Sequence, residues 1–79
     1  MNFKNAKQIN DFLAIVDKCE GGVYLKSEDG DVFNLKSRFS QYIAIGELLS
    51  INGDELKLVC DHREDWDKFF DFFKNHRDI

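Results

Sequence analysis

His62, His76, Cys19, Cys60 and Ser37 are the side chains of this 79-residue chain whose types and settings invite covalent chemistry. An imidazole can act as nucleophile, base or metal ligand, but general acid–base work needs a partner group placed with it. His62 falls in the first turn of the last predicted helix and His76 near its frayed end, neither with such a partner, so both read as solvated surface residues. Cys60-Asp61-His62 resembles the start of a metal site, but a tetrahedral site needs three or four ligands and no second Cys or His cluster lies at a useful spacing. No metal and no cofactor are expected. Cys19 and Cys60 read as small buried hydrophobes in a reducing compartment, not as a disulfide. Ser37 stands between Lys36 and Arg38. As a helix N-cap it contributes roughly 1 kcal/mol. Phosphorylated, it would place a dianion at a helix N-terminus beside two cations, where the electrostatics favour it.

These residues must be positioned by a small domain. With 43% hydrophobic residues, including eight Phe, one Trp and two Tyr, residues 1–79 suffice for a single domain with one aromatic core. Each fully buried large apolar side chain contributes roughly 1.5–3 kcal/mol. Eleven basic and fifteen acidic residues give a net charge of −4, spread along the chain, so nucleic-acid binding is not expected. Met1-Asn2-Phe3-Lys4-Asn5 leads directly into a polar amphipathic segment, without the apolar run of a signal or a membrane span. A cytoplasmic protein that does not engage a membrane is expected.

Ile9, Phe12, Leu13 and Val16 fall at i, i+3, i+4 and i+7, predicting a helix between Ala6 and Cys19. Asn5 or Asn2 caps its start, and Gly21-Gly22 supplies a left-handed end. Two β-prone runs, Val23 to Lys26 and Asp31 to Leu35, predict a hairpin. A three-residue loop, Glu28-Asp29-Gly30 with Gly30 left-handed, pairs Leu25 with Phe33 and Val23 with Leu35 on one buried face. A two-residue turn would instead mix polar and apolar side chains on both faces. Ser37 then caps a second helix carrying Phe39, Tyr42, Ile43 and Leu49. Its far end is open, because Glu47 to Ile51 with Asn52-Gly53 reads equally as a short arm turning into the next strand. Leu56, Leu58 and Cys60 alternate with Lys57 and Val59 as a strand with one buried face. Asp61-x-x-Glu64 predicts an acidic capping box for a last helix with Trp66, Phe69, Phe70 and Phe73 on its buried stripe. Phe72 lies off that stripe, toward the sheet edge or the surface. Asp65, Asp67 and Asp71 read as the solvated side, and Asn75 to Ile79 as frayed.

If Met1 to Lys4 forms a short strand, the order is β-α-β-β-α-β-α. That is an α+β open-faced sandwich with a four-stranded antiparallel sheet covered on one face by helices. This order, together with Val32-Phe33-Asn34-Leu35-Lys36-Ser37 and the Asp17-Lys18-Cys19 end of the first helix, resembles HPr, the phosphocarrier of the sugar phosphotransferase system. The resemblance lays Asn5-Ala6-Lys7-Gln8 over the family's His-Ala-Arg-Pro motif, so Asn5 stands at the phosphohistidine position, Lys7 at the Arg and Gln8 at the Pro. A carboxamide nitrogen is delocalised into its carbonyl and is neither nucleophilic nor basic, so Asn5 cannot carry the phosphoryl group. The resemblance also implies that Ser37 is the target of a regulatory kinase, and that Phe39, Tyr42 and Ile43 form the apolar docking patch. The core competes equally for those three residues.

Three functions are set against one another. The first is a non-catalytic HPr-like regulatory or interaction module, binding protein partners such as phosphotransferase-system components or a regulator through Asn5, Lys7, Lys36, Arg38, Phe39, Tyr42 and Ile43. The second is a phosphocarrier using His62 or His76. The third is an unrelated α+β interaction protein, such as a homodimer or a subunit of another complex.

Overall fold

The computed structural model describes residues 1–49 and 55–79. The elements run α1 (Ala6–Lys18), β1 (Val23–Lys26), β2 (Val32–Asn34), α2 (Arg38–Leu49), β3 (Lys57–Cys60) and α3 (Arg63–Asn75). The protein is α+β, with three helices and an open antiparallel sheet in the order β2-β1-β3.

The hairpin has the predicted register. Leu25 stands opposite Phe33, and the Leu35 N–H donates to the Val23 carbonyl at 2.8 Å. Ser27 closes the loop, donating its N–H to the Asp31 carbonyl and accepting the Gly30 and Asp31 N–H groups on its carbonyl and hydroxyl. Gly30 takes φ 94°, the left-handed region that a side chain rarely enters. One sheet face carries Val23, Leu25 and Cys60 into the core, while Tyr24, Lys26, Lys57 and Val59 lie on the other.

Met1–Lys4 forms no strand, so the expected fourth strand is absent among the described residues. The cause is local. Phe3 turns its ring into the core, 5.2 Å from Phe12, while the Asn2 N–H bonds the Ile79 carbonyl and the Lys4 N–H bonds the Gln8 side chain. Backbone donors used in this way are not available to a ladder.

Phe12 is the hub of the core. It is fully buried and ringed by Phe3, Phe69, Phe72 and Phe73, with centroids 5.2–6.3 Å away. The helix α1 buries Ile9, Phe12 and Val16 as its spacing predicts. Helix α3 is rolled relative to its predicted stripe: Asp65, Phe69 and Phe72 are buried, Trp66 and Phe73 are partly covered, and Phe70 is 63% exposed. Phe72 is thus a core residue and Asp65 is not solvated.

Asp65 explains the roll. Its carboxylate accepts the Glu20 N–H at 3.1 Å, the Gly21 N–H at 2.9 Å and the Lys68 ammonium at 2.7 Å. This docks the first turn of α3 onto the α1–β1 connection. The Lys68 hydrogen bond, followed by those from Gly21 and Glu20, holds the carboxyl at about 2, below its ordinary 3.8.

Three end signals resolve differently from expectation. Helix α1 stops at Lys18 with Cys19 extended, and neither Gly21 nor Gly22 is left-handed. These glycines serve close approach instead, since a Cβ on Gly21 would collide with the His62 ring and one on Gly22 with Tyr24 and Asp61. The capping box does not form. His62 is the N-cap of α3 with no side-chain cap bond, and Asp61 accepts the Tyr24 hydroxyl at 3.3 Å. The segment after Asn75 does not fray but folds back, with Ile79 against the core and Asp78 bonded to Gln8. The Asn52-Gly53 turn lies outside the described residues.

Candidate functional site

At the mouth of α1, Asn5 is extended (φ −159°, ψ 170°) and its Oδ1 accepts the Gln8 N–H at 3.0 Å, a standard N-cap. Gln8 reaches back, accepting the Lys4 N–H at 2.7 Å through Oε1 and donating from Nε2 to Asp78 Oδ2 at 3.0 Å. The Lys7 ammonium lies 3.0 Å from Asp11 on the exposed flank. The mouth therefore presents a carboxamide cap with the Asp78 carboxylate beside it. The Asn5 carboxamide itself offers a phosphoryl group no nucleophile, and the Asp78 carboxylate sets a like charge nearby.

Neither histidine is joined to this mouth by a hydrogen bond. His62 is exposed at the N-cap of α3. His76 is not a free surface group: its ring stacks on Phe72 at 4.3 Å, and Nδ1 lies 2.9 Å from the Phe72 carbonyl. That contact requires the proton on Nδ1.

The junction ahead of α2 is tightly tied. Asn34 Oδ1 accepts the Lys36 N–H at 2.9 Å, and Gln41 Nε2 donates to the Leu35 carbonyl at 2.6 Å. Ser37 caps α2 as predicted, its Oγ accepting the Ser40 N–H at 3.4 Å and its carbonyl the Gln41 N–H at 2.8 Å. The Lys36 ammonium donates to the Cys19 carbonyl at 2.6 Å, joining this junction to the end of α1. Beside it, Arg38, Tyr42, Gln41 and Ile45 face Asn10, Leu13 and Asp17 across a groove of about 320 Å³ between α1 and α2.

Helix α2 buries only Ala44 and Leu48. Phe39 is 76% exposed, Tyr42 77%, Ile43 46% and Leu49 54%. Their spacing gathers them on the outward side of one helix, leaving an apolar strip open to solvent. The core does not claim the three predicted patch residues.

Cys19 and Cys60 are free and buried. Burial pushes the Cys60 thiol up to about 11 and raises Cys19 as well, so neither is an activated thiolate. Among the described residues no group of three or more His, Cys, Asp or Glu is arranged to hold a metal ion, and no helix is long and apolar enough to cross a membrane.

Sequence reasoning missed Asp65. Its signal is faint: an aspartate on the flank of an aromatic stripe, 44 residues from the Gly21 amide it binds. No family model, curated protein or solved structure matches this chain.

Proposed function

We propose that this chain is a non-catalytic, HPr-like interaction module that meets a protein partner, a component or regulator of the sugar phosphotransferase system, through the outward face of α2 and the start of α1. The observation that carries this reading is the exposure of Phe39, Tyr42 and Ile43 on one side of α2. Aromatic residues held on a rigid helix beside charged neighbours are the side chains that dominate protein interfaces. Two features support the HPr-like part. The order α-β-β-α-β-α is the one the resemblance implies, less its first strand. The Asn34–Ser37 run forms a strand-to-helix junction with its serine at the cap.

Asn5 acts as a structural cap, so the module binds without relaying phosphate. Ser37 is the regulatory position: a phosphate there would sit at the start of α2 beside Arg38 and next to Phe39, changing the charge of the docking face. The test is incubation with phosphoenolpyruvate and the general phosphotransferase enzyme. No acid-labile phosphate is expected on the chain. Its appearance, abolished by replacing His62 or His76, would establish a carrier instead.

A further inference from the structure

The outer edge of β3 has no main-chain partner among the described residues. The Asp61 N–H donates to the Gly22 carbonyl at 3.0 Å, so Val59 and Lys57 form the hydrogen-bonded pairs with Tyr24 and Lys26. Leu58 and Cys60 therefore turn their N–H and C=O groups toward the free edge. On the open face of the sheet, Lys26 and Lys57 stand directly opposite each other, a like-charge cross-strand pair. Glu28 and Glu55 share a shallow depression with them but form no ion pair with either lysine.

We propose that β3 pairs antiparallel with β3 of a second copy of this chain, joining the two sheets edge to edge. A two-fold axis at Val59 sets that residue against the partner's Val59. The same register brings Leu58 opposite the partner's Cys60, where the outward-pointing groups exchange both main-chain hydrogen bonds. It also brings Lys57 opposite the partner's Asp61. Asp61 lies on the same open face as Lys57, since its carboxylate meets the hydroxyl of Tyr24, the cross-strand neighbour of Val59. A lone lysine on an edge strand discourages pairing. Here an aspartate four residues on, on the same face, turns that lysine into half of a self-complementary pair. Backbone parity, side-chain face and charge agree on this one register.

Sedimentation equilibrium of the full chain at low salt tests it. The expected result is a dimer of the 9.3 kDa chain. Lys57→Glu should weaken it at least about tenfold, and Lys57→Glu combined with Asp61→Lys should restore it. Circular dichroism checks that both variants fold. A monomer at every concentration would leave the edge to a strand from another protein and overturn the proposal. A dimer that ignores Lys57→Glu, or that the double variant fails to restore, would overturn it too. None of these results bears on docking through α2.

Discussion

Helices α1 and α3 bury their aromatic and aliphatic faces against each other and the sheet, whereas α2 seals its side of the core with Ala44 and Leu48 and turns its aromatics outward. Apolar residues gather on one face of α1 and of α3 but stand on both faces of α2, so the first pair uses most of its large side chains for cohesion while α2 leaves its own in water. The lesson is that in so small a domain the ring cluster around Phe12 fills the interior, so the further aromatic residues of α2 lie at the surface.

The comparison breaks most sharply at Phe12. Phe12→Ala removes the ring shared by four others and should cost about 3–5 kcal/mol, a large fraction of the stability of so small a domain, read by chemical denaturation. Asp65→Asn comes next, because it removes the charge that docks α3 onto Glu20 and Gly21. A carboxyl depressed to about 2 in the folded state stabilises fully above its unfolded value of 3.8 and loses that contribution as pH falls through about 2. Wild type should therefore melt well above Asp65→Asn at neutral pH, and the two melting curves should converge between about pH 4 and pH 2. Ser37→Ala should cost about 1 kcal/mol by uncapping α2, measured by the same denaturation. Smallest of all, Phe39→Ala and Tyr42→Ala should each shift stability by no more than about 0.5 kcal/mol, since both side chains are already in water.

Local signals were legible where short-range physics decides. The stripe of α1, the Gly30 loop with its hairpin register, and the caps at Asn5 and Ser37 all follow from neighbours a few residues apart. The signals that misled depended on distant partners. The roll of α3 follows from Asp65 finding amides at residues 20 and 21, which no helical periodicity encodes. The Asp61 capping box lost to Tyr24 across the sheet, and Met1–Lys4 gave up pairing because Phe3 filled a core position. For the site, spacing alone left Phe39, Tyr42 and Ile43 divided between core and surface. Their exposure follows from how much of the interior α1 and α3 already occupy.

The central claim is that the outward face of α2 is a binding surface and not part of the stabilising core. The most direct measurement is an amide chemical-shift titration of the labelled chain with the general phosphotransferase enzyme, run alongside the Phe39→Ala, Tyr42→Ala double variant. The account predicts perturbations centred on residues 38–43 and the start of α1, abolished in a double variant whose melting temperature is nearly unchanged. Perturbations confined to the open sheet face, no perturbation at all, or a double variant that melts like Phe12→Ala would contradict it.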